Sequence, residues 1–324
     1  MEILIDPALQ PDHHDVYHDV YAGLPVAHAP LDEEDDGPPP EAGAVAWRLR
    51  GNEFDPDAPE EIGEALDWFF EHVDTSRVRA IVIGQWEDCY DEGSAEIVAR
   101  LADNADRLPA LRALFLGAIS PEESEISWIQ QCDVTPLLEA YPKLERFEVR
   151  GGSGLELRPV RHEGLRMLRV EAGGLGGGFV RALAGADLPA LELLELWFGV
   201  PDYGGDTTAG DLSEIMSGAR LPALRHLRLQ NGQFQDDVAV ALAAAPIVER
   251  LETISLSMGS LTDAGAEALI SGQPLTHLRR LDLSHHYMTA AMMGRVREAL
   301  PGVEVVLSEP LDAEREWRFV AVSE

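Results

Sequence analysis

The side chains best equipped for chemistry fall in a few short stretches of the 324-residue sequence. His13, His14 and His18 stand among acids in DHHDVYHDV, and His285 and His286 form a second group in SHHYM. Imidazoles beside carboxylates are the raw material of a zinc site, yet neither group has a recognised ligand spacing, so no metal is assigned. QWEDCYDEG (85–93), FGVPDYGGDTT (198–208) and SHHYM (284–288) bring Trp86, Tyr203 and Tyr287 together with Asp88, Asp91, Asp202 and Asp206, and the excursion over 118–135 adds Trp128. Aromatic faces among carboxylates suit a cationic or sugar-like ligand, or a basic peptide. A solvated acidic rim is the competing reading. Cys89 and Cys132 lack a neighbouring histidine that could act as base, and are expected to be reduced thiols, not a disulfide. No HExxH, P-loop or GxSxG is present, and GGLGGG (173–178) lacks the spacing and downstream acid of a dinucleotide site. It reads as a tight corner. Catalytic residues and cofactors are therefore both assigned as none.

These stretches are placed by an internal repeat. Nine segments share a pattern close to LxxLxL: VRAIVI (78–83), LRALFL (111–116), LERFEV (144–149), LRMLRV (165–170), LELLEL (191–196), LRHLRL (224–229), LETISL (251–256), LRRLDL (278–283) and GVEVVL (302–307), with a degenerate tenth, AVAWRL, ending at Leu49. Within them apolar and polar residues alternate as in a strand, Leu227 and Leu229 facing one way and His226, Arg228 and Gln230 the other. Between them lie helical patterns such as Ile62, Leu66, Phe69, Phe70 and Val238, Leu242, with Ser94, Asp236 and Asp263 as N-cap candidates. A strand, helix, strand alternation forces parallel pairing, because a parallel pair needs a crossover.

LPALRALFL, LPALELLEL, LPALRHLRL and LTHLRRLDL resemble leucine-rich repeats with the longer, helix-backed units of the ribonuclease-inhibitor type. That resemblance implies an α/β horseshoe: a parallel sheet of nine or ten strands on the concave side and helices on the convex side. The asparagine usual after the LxL is mostly replaced, with Gly152, Gly173, Gly199, Gly232 and Gly259 expected to make the turn by their own conformational freedom. The chain also resembles a bacterial group of leucine-rich-repeat proteins without assigned function, carrying stretches like EISWIQQCDVTPLLEAYPKLE and RGGSGL. Genes of that group lie beside radical-SAM enzymes, an ATP-grasp-like protein and a hydrolase. The resemblance thus implies a partner role in a modification pathway, with a modification enzyme encoded nearby as the protein bound.

Three segments follow: residues 1–43 as an acidic N-terminal cap and Pro-rich linker, 44–308 as the repeat domain, and 309–324 as a C-terminal cap in which WRFVAV closes the last repeat. With 25 basic against 58 acidic residues the formal charge is −33, which repels phosphate polyanions and excludes a nucleic-acid footprint. The sequence holds no apolar run of ~18 residues and no basic N-terminus, so a soluble cytoplasmic protein without membrane partners is expected.

Strand residues that point away from the helices line up in rows ~4.8 Å apart. One row reads Val82, Phe115, Glu148, Arg169, Glu195, Arg228, Ser255, Asp282: a binding stripe, or charges that satisfy one another. The next reads Arg150, Glu171, Trp197, Gln230, Ser257. Trp197 alternates with buried leucines and is expected to be partly exposed beside Arg169, Glu195 and Arg228, as a recognition hot spot would be. The small apolar patch of Ala80, Val82, Ala113 and Phe115 needs a cover, either the 118–135 excursion or another chain. Trp197, Arg150, Arg169, Glu195, Arg228, Gln230, Trp86 and Tyr203 are the candidate binding residues of a non-catalytic protein or peptide interaction module. The alternative is an enzyme or enzyme subunit using rim carboxylates and histidines, which requires three of Asp88, Asp91, Asp202, Asp206, His285 and His286 to converge.

Overall fold

Strands form where the repeat places apolar residues at alternate positions, and left-handed residues such as Gly117, Gly151 and Met258 follow several of them. The computed structural model describes residues 19–30, 40–51 and 59–324; His13, His14, His18 and all of DEEDDGPPP but Pro40 lie outside them. Two units divide at Arg169/Val170, within the strand Met167–Glu171.

In the first unit β1 (Val20–Tyr21) and β2 (Leu24–Ala29) form an antiparallel hairpin through Ala22 and Gly23, both left-handed at φ 50° and 74°. β2 then runs parallel to β3 (Ala46–Leu49), followed in order by β4 (Ala80–Ile83), β5 (Ala113–Leu116) and β6 (Arg146–Arg150). α1 (Ile62–His72), α2 (Ala95–Asp103) and α3 (Thr135–Ala140) supply the crossovers. Ile62, Leu66, Phe69 and Phe70 of α1 are buried, and Trp47 of β3 meets Phe69 edge-on at 6.0 Å, so this side of the strands is the helix side. The Tyr141 hydroxyl after α3 donates to the Leu101 carbonyl of α2 at 2.5 Å. β7 (Met167–Glu171) closes this half of the chain.

The second unit runs β8 (Leu193–Gly199), β9 (His226–Gly232), β10 (Thr253–Ser255), β11 (Arg280–Asp282) and β12 (Glu304–Val306), parallel throughout and paired in sequence order. The strands Leu227 and Ile254 belong to are therefore adjacent and parallel, as the repeat requires. α4 (Gly177–Gly185), α5 (Ser213–Ser217), α6 (Gln235–Leu242), α7 (Asp263–Ser271) and α8 (Ala290–Ala299) complete it. Among the described residues there are twelve strands; the ten expected from the repeat are β3 to β12, and the two added are the N-terminal hairpin. No helix among these residues is long and apolar enough to cross a membrane.

Two local expectations need correcting. Asp236 and Asp263 sit in the first turns of α6 and α7 and do not cap their own helices. Each reaches forward to the next one: Asp236 accepts from Thr262 N (2.8 Å) and Oγ1 (2.6 Å), and Asp263 from Thr289 N (2.7 Å) and Oγ1 (2.8 Å). Thr262 and Thr289 are the N-caps, so one carboxylate per repeat ties successive helix starts together and complements the helix dipole. The turn glycines also differ. Gly199 is left-handed (φ 66°), but in the last repeats it is Asn231, Met258 and His285 that take positive φ. At Gly232 and Gly259 the constraint is space: a Cβ at either would lie 2.8 Å from the buried Gln235 amide oxygen.

The GGLGGG run is the close approach expected of a corner. Gly174 bridges to Gly199, Val200 N donates to Gly173 O at 2.8 Å, and a Cβ on Gly199 would overlap the Gly173 carbonyl. Gly199→Ala is expected to lower the unfolding free energy by about 2–4 kcal/mol, against about 1 kcal/mol for Gly204→Ala, whose φ is also positive but whose surroundings are open. Urea unfolding of the two variants measures the difference, and equal losses would remove crowding as the cause.

Candidate functional site

On the side of the strands away from the helices, the residues expected to bind a partner are buried. In the first unit Ala80, Val82, Ala113 and Phe115 pack under Tyr21, Ala22 and Leu24 of the N-terminal hairpin, with Ala118 at the margin. The hairpin is thus the main cover, and Ala118 is what the 118–135 excursion adds to the cluster. Tyr21 packs at a tilt 6.2 Å from Phe115 and lies 4.9 Å beneath the Arg146 guanidinium, and burial followed by the Glu148 charge lifts its phenol well above the ordinary tyrosine range. Arg146 Nε donates to Glu148 Oε1 (2.5 Å), and Glu148 Oε2 lies 3.0 Å from Arg169 Nη1. Arg150 is also buried, its carbonyl accepting from Gln131 Nε2 at 2.7 Å.

The second unit repeats the arrangement. The Trp197 side chain is 3% exposed, which overturns the expectation of an open hot spot. Its indole donates to Glu195 Oε1 (3.0 Å), and Glu195 Oε2 accepts from Arg228 Nη1 (2.8 Å). Gln230, paired with Trp197 across β8 and β9, donates to Ser255 Oγ (2.8 Å) and Ser257 Oγ (2.6 Å). These rows read as predicted from the repeat, with the charges satisfying one another. Removing one member of such a pair would leave the other charge buried alone, which is costly.

What remains accessible is the rim formed by loops after the strands. In the first unit the loop after β4 and the excursion after β5 are tied by Gln130 N donating to Cys89 O at 2.8 Å. Tyr90 and Trp128, one from each, are 52% and 56% exposed. The same two loops carry exposed carboxylates at Glu87, Asp88, Asp91, Glu92 and Glu122. Trp86, by contrast, is buried, its indole donating to Glu92 O at 2.8 Å. Cys89 and Cys132 are free; burial raises both thiols, which disfavours the nucleophilic thiolate.

In the second unit Asp206 accepts from Gly177 N (2.6 Å) at the start of α4, His285 sits 3.3 Å from Gly259 O, and the buried His286 accepts from Met288 N (3.1 Å). No hydrogen bond joins any two of Asp202, Asp206, His285 and His286, and no group of three or more His, Cys, Asp or Glu able to hold a metal occurs among the described residues. Tyr203 bonds to Glu324 and Tyr287 to the backbone of Phe319, so this rim is covered by residues 319–324. Asn231 does the same for Val322 and was not among the expected site residues; its only sequence signal is an Asn-Gly pair at a strand end.

No protein-family model matches the sequence, and no curated protein matches it. Among solved structures, a crystal structure of a protein from Bacteroides fragilis, determined by a structural-genomics consortium, is similar: 29% identity over 80% of this chain and 72% of that chain, with a TM-score of 0.72. The fold is shared. The match leaves site chemistry to be argued from the residues themselves.

Two predictions rest on these burials. Trp197→Ala is expected to destabilise the protein by about 3–5 kcal/mol in urea unfolding, since it opens a cavity and strips Glu195 of a donor; a loss under about 1 kcal/mol would mean the ring is not core. The second concerns pH. Burial lowers His162, His226 and His286 from their ordinary value of 6.5. The unfolded chain then binds more protons, so stability is full above about pH 6.5 and falls as pH drops toward the lowered folded values, by up to ~1.4 kcal/mol per pH unit per histidine. Stability that stayed flat between about pH 6.5 and 5 would contradict neutral, buried imidazoles.

Proposed function

We propose that the chain is a leucine-rich-repeat solenoid of the ribonuclease-inhibitor type acting as a non-catalytic module that binds a protein or peptide through its strand-end loops. The observation that supports this best is the contrast between two kinds of tryptophan: Trp197, on the strand side, is enclosed, while Trp128, on a loop, is 56% exposed, as is Tyr90, at 52%, on the loop joined to it by the Gln130 to Cys89 hydrogen bond. Aromatic rings held on a braced backbone are preorganised anchors, and large exposed rings tend to be used at interfaces. The carboxylates around them favour a partner with a basic surface, and the net charge of −33 would speed its approach at low salt. The resemblance to proteins encoded beside modification enzymes makes such an enzyme the first partner to try.

Affinity capture from the native cell, followed by a binding isotherm with the captured protein, tests the reading. Trp128→Ala is expected to weaken binding by about 2 kcal/mol or more, with unfolding nearly unchanged because removing an exposed ring opens no cavity. Unchanged affinity in both Trp128→Ala and Tyr90→Ala would move the interface elsewhere.

A further inference from the structure

The loops after β8 to β11 in the second unit hold residues 319–324 in a way that depends on backbone and not on large side chains. The Tyr287 hydroxyl accepts from Phe319 N (2.8 Å) and donates to Phe319 O (3.1 Å). Met258 O accepts from Ala321 N at 2.8 Å. The Asn231 amide serves Val322 twice, accepting from its N–H at 3.0 Å and donating to its carbonyl. Tyr203 bonds to the Glu324 carboxylate beyond. Val320 and Val322, two apart, are buried, whereas Trp317 and Phe319 are 74% and 56% exposed. A segment serving only as core would bury its aromatic rings. Here the largest apolar groups are left in water, and the seat is made of polar atoms aimed at main chain.

The seat itself is built by the repeat. Asn231, Met258 and His285 recur at 27-residue spacing with φ of 58°, 68° and 55°, so equivalent turns of three successive repeats line up along the segment. Alternate side chains in pockets with main-chain hydrogen bonds between them is a recurrent mode of extended-peptide recognition.

We infer that the groove formed by Tyr203, Asn231, Met258 and Tyr287 is a binding site for an extended peptide of a partner protein, and that residues 319–324 are its intramolecular occupant, displaced when the partner binds. The partner segment carries small aliphatic residues two apart and an acidic residue two positions after the second, the pattern of Val320, Val322 and Glu324. The inference rests on the reading that strand-end loops do the binding, but concerns the other unit from Trp128. Its failure would leave the Trp128 result standing.

The test uses the full chain and a fluorescein-labelled peptide WRFVAVSE, the sequence of residues 317–324. A tethered occupant acts at roughly millimolar effective concentration, so the wild type should bind the peptide weakly. Val320→Asp/Val322→Asp, which unseats the chain's own segment, should bind it at least tenfold more tightly by fluorescence anisotropy. Adding Asn231→Gly, which tolerates the left-handed conformation but has no amide, should reverse that gain. So should placing proline at the Val322 position of the peptide, which removes the N–H that Asn231 accepts. Hydrogen exchange on the wild type gives an independent reading: the amides of Ala321 and Val322 should exchange at least tenfold faster than those of Leu227 and Leu229. A folded double variant that does not bind the peptide, a double variant that no longer folds, or tail amides that exchange only together with β9 would each show that residues 319–324 are structural, and overturn the proposal.

Discussion

A ladder of parallel strands decides which side chains meet, and the structure depends on how the charges in those rows are neutralised. Neighbouring strands put Glu148 beside Arg169 in one unit and Glu195 beside Arg228 in the other, at separations of 3.0 and 2.8 Å, with the carboxylates all but buried. A charge withdrawn from water is tolerable only with a partner and further hydrogen bonds. Arg146 supplies them to Glu148 and Trp197 to Glu195. Paired in this way, the carboxylates are neutralised within the chain. The strand side away from the helices becomes a second interior, and the exposed rings Tyr90 and Trp128 stand on loops.

The sheet was legible because its cause is local and periodic. Alternation within LRHLRL and LETISL, multiplied by a repeat, specifies strands, direction and register together, and Thr253 does pair with His226 and Ser255 with Arg228. Rows of facing residues follow from register alone, so the Glu–Arg pairs could be named in advance. Exposure could not. Whether Trp197 sees solvent depends on what packs over it, which a strand pattern does not encode, and the burial of Phe115 depends on Tyr21, 94 positions earlier in the chain. Alternation says which side a residue is on and nothing about what lies over that side.

The helix starts show the same division. A first-turn aspartate is a sound capping signal, yet Asp236 serves Thr262 of the following repeat, a choice visible only once successive helices are stacked. The segment WRFVAV is expected to close the last repeat because a solenoid must cover its terminal core. What strand alternation does not show is that its backbone is held by Tyr287, Met258 and Asn231, groups contributed by three consecutive repeats.

The claim that the strand side is enclosed while the loops carry the accessible aromatics can be tested on the protein's own six tryptophans. Brief oxidation of the native protein, followed by peptide mass spectrometry, reports the reactivity of each ring. Trp128 and Trp317 should oxidise rapidly, while Trp47, Trp86 and Trp197 should react only after denaturation. Oxidation of Trp197 in the folded protein at a rate close to that of Trp128 would contradict the account and return the strand side to the list of binding surfaces.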